Sequence, residues 1–464
     1  MSQMTDSSLT ISTPGKNAFK LMLCLAAALL LTYLLRSPAF TVSQDYVIFL
    51  LFFSVGLWLT EAIPPFAVAL FIMAFLFFAL GNPRFNPQPQ DASKYVQTFS
   101  SSIIWLLLGG FFLAEAMTKT GIDSELLKLS LKLSGSRPRT ILFALMITTL
   151  VASMFLSNTA TTAMVIAAIM PLLNHLGNKP FAKALLTGIP LAAAVGGMGT
   201  IIGSPTNAIA AGALENVGIT ISFLKWMMVG VPLALVLILL SWRLLCKFYI
   251  PDNSSIAIEF LQENEQEPLP GQKRNRRIVM VIFAITVLLW TTSSLHQLSV
   301  SAVSAIPLVF LTMTGILNAS DMRKLPWDTL MLVSGGLSLG LALQHTGMLE
   351  YFAAGITESG FSTVLLYFIF AFSAMLFSNV MSNTATSTIL IPLGIYLMPA
   401  EAERIAVIIG LAASTALLLP VSTPPNAIAY STGLLKQKDF LPGGLLMGII
   451  GPLLIVLSVM LLLR

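Results

Sequence analysis

The sequence predicts an all-α polytopic membrane protein: eleven transmembrane helices and two re-entrant helical hairpins, arranged as an inverted repeat. Three observations carry the prediction. Charged residues make up 10% of the 464 and hydrophobic ones 56%, whereas a soluble globular chain carries about 25% charged residues. Apolar runs of about 20 residues, the length a helix needs to cross hydrocarbon, recur along the whole chain. Two other apolar regions are split at their middle by one polar cluster, SNTATTAM at 157–164 and SNTATST at 382–388.

Taken in order, spans are expected at 19–35, 46–60, 66–81, 103–117, 186–213, 222–246, 277–295, 299–317, 329–344, 405–433 and 441–463. The first follows a polar leader with Lys16 and Lys20. It is longer than the core of a signal peptide and precedes no small-x-small cleavage site, so a retained helix is expected. The regions 140–173 and 363–398 each read as two apolar pieces of about 10–14 residues, too short to cross a bilayer, that enter and leave on one side. The segment IDSELLKLSLKLSGSRPR, 122–139, reads either as a basic amphipathic helix along the membrane surface or as a plain basic loop. The long polar stretch 252–277 reads as a linker between two halves, too short for a catalytic domain. Cys24 and Cys246 form neither a disulfide framework nor a metal pattern.

Charge placement tests the topology. With the N-terminus cytoplasmic and both hairpins re-entrant, the 25 Lys and Arg fall on the cytoplasmic side except Arg36, Arg84, Lys94, Lys225, Arg404 and Arg464. Positive charge accumulates in cytoplasmic loops. The C-terminus is then outside, and the pI near 9.2 reports basic loops rather than a nucleic-acid surface. The chain is expected in the inner (plasma) membrane.

Three stretches recur in the same order. GGFFLAEAMTKTG (109–121) matches GGLSLGLALQHTG (335–347), SMFLSNTATTAM (153–164) matches SNVMSNTATSTI (378–389), and GSPTNAIAAG (203–212) matches STPPNAIAYS (422–431). In this topology the first hairpin opens to the cytoplasm and the second to the outside, which makes the repeats inverted. Many secondary transporters build a substrate site between such halves, from helices broken near the midplane; a passive channel has less need of the symmetry.

The stretches Gly203-Ser204-Pro205-Thr206-Asn207 and Ser422-Thr423-Pro424-Pro425-Asn426 lie inside apolar spans. Proline removes a backbone donor and disfavours helix before it, so both spans are expected to unwind there. Non-helical backbone at membrane depth is tolerated only where protein or a cavity satisfies it. It exposes helix N-termini, which favour anions, and carbonyls, which suit sodium. None of the four motifs holds Lys, Arg, Asp or Glu. An anion would therefore be held by neutral donors and accompanied by cations on neutral oxygens. Two Ser-Asn-Thr tips fit a substrate with two anionic ends, although one oxyanion could use both.

Asn158 and Asn383 recur at matched positions, and a buried amide needs several partners. Thr161, Thr162, Thr386 and Ser387 read equally well as hydroxyls bonding back to their own or a neighbouring helix. Gly109, Gly110, Gly335 and Gly336 read as close-packing positions. Glu115 is costly if buried in its span and unremarked if near the interface. His175, His296 and His345 fall in loops or at span ends, and neither tip holds a base for Ser157 or Ser382, so enzymatic activity is not expected.

The paired SNT tips, each followed by Ala-Thr, with GSPTNAIA and STPPNAIA downstream, resemble the divalent anion:sodium symporter family, the INDY-type sodium–dicarboxylate transporters, over essentially the whole chain. The resemblance implies a bacterial-type homodimer with a scaffold domain and a transport domain that moves elevator-fashion. Its implied boundaries are a tail 1–18, scaffold helices 19–102 and 278–328, repeat cores 103–251 and 329–464, and the linker 252–277. It implies one sodium site at Ser153, Ser157, Asn158 and the backbone around Gly203, and a second at Ser378, Ser382, Asn383 and the backbone around Ser422. The substrate would lie between Ser157-Asn158-Thr159 and Ser382-Asn383-Thr384, touching Ser204 and Thr423, with Pro205 and Pro424 shaping the pocket. It implies a C4 dicarboxylate such as succinate, malate or fumarate, carried with at least two sodium ions. Sodium-independent exchange, and sodium-coupled citrate or sulfate transport, are the alternatives within the family.

Overall fold

The computed structural model describes residues 14–177, 179–251, 271–351 and 361–463; among them are helices and turns but no strand. The leader up to residue 13 and the expected linker up to residue 270 lie outside the described residues. Eight helices among the described residues are long and apolar enough to cross a membrane.

The chain opens with α1 (Pro14–Leu35), α2 (Val42–Thr60) and α3 (Pro65–Gly81). Thr41 and Gln44 form a capping box at the start of α2, and Pro65 supplies the first residue of α3. Next come α4 (Ser102–Thr120), α5 (Ile122–Ser134), the pair α6 (Pro138–Ser153) and α7 (Asn158–Leu176), the interrupted span α8 (Pro180–Gly197) and α9 (Pro205–Asn216), and α10 (Phe223–Tyr249). The second half follows the same order. It has α11 (Gln272–Thr291), α12 (Val300–Met313), α13 (Trp327–His345), the pair α14 (Thr363–Val380) and α15 (Asn383–Leu397), the interrupted span α16 (Ala402–Ala413) and α17 (Pro424–Ser431), and a last span ending in α18 (Gly451–Leu462).

One expectation changes here, and one open alternative is decided. The paired helices run 16, 19, 18 and 15 residues, not 10–14. The polar clusters take up only a turn and a cap, and helix extends outward to Pro138, Leu176, Thr363 and Leu397. The basic segment after α4 is a helix, α5, which buries Leu127 and Leu131 and leaves Leu126, Leu129 and Leu133 exposed.

Buried side chains form two clusters. The smaller one joins α1, α2 and α3 to one side of α13 through Leu332, Leu339 and Leu343; the larger holds the rest, including Leu330 and Leu337 from the other side of α13. The paired glycines are packing positions. A side chain at Gly109 would overlap Ser304 of α12, and one at Gly335 would overlap Ala69 of α3. Gly110 meets Ile202, and Gly336 meets Thr388 of α15.

Polar bonds sort the helix ends into two sets. One end gathers Lys119 with Asp321, Arg276 with Glu125 (3.0 Å) and Lys183 with Asp439 (3.1 Å). The other gathers Lys225 with Glu403 (2.6 Å), Arg404 with Glu401 (2.7 Å) and the Ser102 hydroxyl on Glu215 (2.7 Å). Lys225 and Arg404, both at the second end, are among the six cations that the charge count separates from the rest. The pair α6–α7 starts at the first end, where Arg139 donates to the Ile250 carbonyl at 3.0 Å, and finishes there ahead of Lys183. The pair α14–α15 starts at the second end, where Tyr367 donates to Glu401 at 2.7 Å, and finishes there ahead of Arg404.

Candidate substrate and cation site

Four helices begin at the two tips and the two interruptions, and a hydroxyl residue stands at the N-cap of each. Ser157 Oγ accepts from Ala160 N and Ser382 Oγ accepts from Ala385 N, both at 3.1 Å, at the starts of α7 and α15. Thr423 Oγ1 accepts from Asn426 N at 3.4 Å at the start of α17. Ser204, at the start of α9, caps nothing; its hydroxyl lies 2.9 Å from that of Thr206. Each cap satisfies one first-turn amide, so the amides of Asn158, Thr159, Asn383 and Thr384 have no intrahelical acceptor and carry the positive end of the dipole. The interrupted spans offer fewer donors, because Pro205, Pro424 and Pro425 have no N–H. Donors for an anion are thus concentrated at the Ser-Asn-Thr tips, and freed carbonyls at the interruptions.

Oxygens converge beside the first tip. Ser153 Oγ, wholly buried, donates to Asn158 Oδ1 at 2.6 Å. A Cβ added to Gly197 would lie 2.7 Å from Asn158 Oδ1 and 2.9 Å from the Gly203 carbonyl oxygen, so only glycine leaves room for the three to approach. Beside the second tip, Ser378 Oγ and Asn383 Oδ1 are buried with no protein partner. A buried polar atom left unpaired costs about 1–3 kcal/mol, and a small hard cation on neutral oxygens would remove that cost. The donor set fits sodium, and no cluster of three His, Cys, Asp or Glu occurs among the described residues to hold another metal.

The motif geometry rests on residues to which sequence reasoning gave no role. Asn207 donates both amide hydrogens across the first interruption, to the Gly197 and Thr200 carbonyls, each at 2.8 Å. Asn426 does the same across the second, to the Leu419 carbonyl at 3.0 Å and the Leu417 carbonyl at 3.4 Å. Thr200 Oγ1 donates to the Met154 carbonyl and accepts from Gly203 N at 3.0 Å, tying the first interruption to the end of α6. In the second half the tie is made by Asn379, aligned with Met154, whose Oδ1 accepts from Leu418 N and Ser422 Oγ, both at 3.1 Å. Thr206 and Ser414 hydroxyls approach to 3.4 Å, where the two interrupted spans meet. The asparagines at 207 and 426 were legible as a matched pair; Asn379 was not, since its partner in the other half is a methionine.

The two tips differ in exposure. Ser157 and Thr159 are exposed and Asn158 half-buried, whereas Ser382, Asn383 and Thr384 are all half-buried. Ser204, Gly203 and Thr423 are buried, Pro205 and Ser422 half-buried, and Pro424 exposed. The halves interlock, with α7 packed on α17 and α15 on α9. The reading of Thr161, Thr162, Thr386 and Ser387 as hydroxyls bonded back to a helix is not what is found: each is buried with no protein partner, as is Thr388. Glu115 is half-buried near the end of α4, and His175 is exposed.

A family model described as citrate transporter matches residues 55–406, from α2 to the start of α16. The chain belongs to the citrate transporter family. Relatives of this member include the sodium-dependent dicarboxylate transporter SdcS of Staphylococcus aureus strain USA300, 29% identical over 442 residues that cover 87% of this chain and 82% of that one. The protein of the same name from strain NCTC 8325 matches with the same identity and coverage. Among solved structures, Neisseria gonorrhoeae MtrF, described within a class of antimetabolite efflux pumps, superposes with a TM-score of 0.58 at 12% identity, over 87% of this chain and 96% of that one. The Alcanivorax borkumensis YdaH transporter gives 0.58 at 13%, over 86% and 97%. These two share the fold. The SdcS match agrees with the divalent anion:sodium symporter resemblance carried by the SNT motifs, and the relatives are membrane transporters rather than enzymes.

Proposed function

We propose that this chain is a secondary active transporter that carries a C4 dicarboxylate such as succinate, malate or fumarate into the cell together with at least two sodium ions. The observation that carries the reading is the pairing of two oxygen clusters, Ser153–Asn158 at Gly197 and the unpartnered Ser378 and Asn383, with two helix N-termini that hold free amides and no basic side chain. The dianion lies between the tips, its carboxylates on the first-turn amides and on the hydroxyls of Thr159, Thr384, Ser204 and Thr423. Sodium ions on the neutral oxygens balance its charge, which would otherwise be costly inside a membrane.

Each helix pair begins and ends at one end of the molecule, which supports two re-entrant hairpins, eleven spans and an inverted repeat. The more exposed first tip and the half-buried second tip are read as a state open on the cytoplasmic side, with the C-terminus outside. Elevator motion of the repeat cores against a dimeric scaffold would open the other side. Citrate is the second reading, favoured by the description of the matching family model. In proteoliposomes, unlabelled C4 dicarboxylates should compete with labelled succinate uptake more strongly than citrate or sulfate; the reverse order selects the second reading. Asn158→Ala and Asn383→Ala should each abolish uptake in folded protein, and full activity in either refutes the site. Uptake only into vesicles preloaded with counter-substrate would identify a sodium-independent exchanger.

A further inference from the structure

Transport leaves unexplained a groove between α5 and α6. Leu126, Leu129 and Leu133 form one wall and Phe143, Ile147 and Val151 the other, around a space of about 530 Å³. The wheel of α5 has two apolar faces. Leu127 and Leu131 are buried against the protein, while Leu126, Leu129 and Leu133, three and four residues apart, are 40%, 54% and 76% exposed. A helix with such a second face and a basic edge lies in the headgroup region of a bilayer.

Charge marks one end of the groove. Lys128 and Lys132, one turn apart, edge the exposed apolar face, and Arg137 stands in the turn before α6; all three are exposed and make no ion pair among the described residues. α6 also starts without a side-chain cap, behind Arg137 and Pro138, which leaves its first-turn amides open. The nearby acids do not cancel this field. Asp123 is buried and accepts from Ser124 N at 2.7 Å, and Glu125 pairs with Arg276 at 3.0 Å.

We propose that this groove binds one anionic phospholipid of the surrounding bilayer, its acyl chain along Leu129, Leu133, Ile147 and Val151 and its phosphate at Lys132 and Arg137. Apolar walls alone would accept any lipid; the unpaired cations select an anionic headgroup. A cation close to an anionic lipid surface contributes about fivefold in affinity, so removing two should weaken binding about 25-fold.

Native mass spectrometry of the full-length protein in mild detergent, titrated with phosphatidylglycerol and separately with phosphatidylcholine, tests this. The wild type should retain one tightly held phosphatidylglycerol per protomer. Lys132→Gln combined with Arg137→Gln should weaken it about 25-fold while leaving phosphatidylcholine unchanged. Leu129→Trp, which fills the groove and keeps the charges, should also release it. Equal affinity for the two lipids in the wild type, or undiminished phosphatidylglycerol retention in both variants, overturns the proposal. A variant that keeps its lipid but loses dimer mass also overturns it, by making the groove a contact between copies of the chain.

Discussion

Gly197→Ala is the sharpest perturbation of the proposed first cation site, because it removes no functional group. The added Cβ would lie 2.7 Å from Asn158 Oδ1, 2.9 Å from Asn158 Nδ2 and 2.9 Å from the Gly203 carbonyl oxygen. Close C···O contacts in proteins fall at about 3.3 Å, so the side chain or the carbonyl must retreat by about 0.5 Å. Both are proposed sodium ligands, and both are held from behind: Asn158 by Ser153, and the interruption by Asn207 and Thr200. Overpacking of a tight interior costs about 1–3 kcal/mol. If that cost falls on the cation-bound state, half-saturating sodium rises about 5- to 150-fold, at 1.4 kcal/mol per tenfold. The assay is initial succinate uptake against sodium concentration, with melting temperature in detergent as the check on folding. Gly448→Ala is the control, since its nearest neighbour, Met375 Sδ, would be at an ordinary 3.5 Å. Wild-type sodium dependence in Gly197→Ala, or an equal defect in Gly448→Ala, would refute the reasoning.

Asn207→Ala strands the Gly197 and Thr200 carbonyls inside the protein; at about 1–3 kcal/mol for a buried group left unpaired, a lower melting temperature and lost uptake are expected, and an unchanged melt would contradict the pinning role. Asn379→Leu should disorder the second interruption by freeing Leu418 N and Ser422, raising half-saturating sodium with a smaller loss of stability; unaltered sodium dependence would count against the tie. Outside the membrane, burial works to raise the Asp321 carboxyl, but Lys119, the Asn318 amide and Lys324 outweigh it and hold the group below its usual range. A depressed folded pKa gives stability that is complete above the unfolded value of about 3.9 and is lost as pH falls through the lower folded value. Lys119→Met should therefore lower the melting temperature at pH 7, with the difference from wild type shrinking as pH falls below about 3.9; a difference independent of pH would contradict this.

How much of this was legible depended on whether a residue's partner is close in sequence. Composition and span length announce a helical membrane protein, and the recurrence of SNT and Pro-Asn motifs locates both helix pairs and both interruptions to within a few residues. A cap is local, so Ser157 and Ser382 could be placed at helix starts from their neighbours alone. The length of the paired helices could not, because a turn of four polar residues looks in sequence like a deeper break than it is. Asn379 and Ser414 were hidden for a different reason: each acquires its role from a residue on another element, 43 positions away at Ser422 for Asn379 and 208 away at Thr206 for Ser414. The hydroxyls of Thr161 and Thr386 could be read either way in sequence, because only the packing around them shows that they are buried without a protein partner.

The central claim is that a dicarboxylate and sodium bind together at two matched tips. Labelled succinate uptake into proteoliposomes, measured with an inward sodium gradient and again with sodium replaced by choline on both sides, tests it most directly. The account predicts concentrative uptake that needs the gradient. Equal uptake in the two conditions would contradict it.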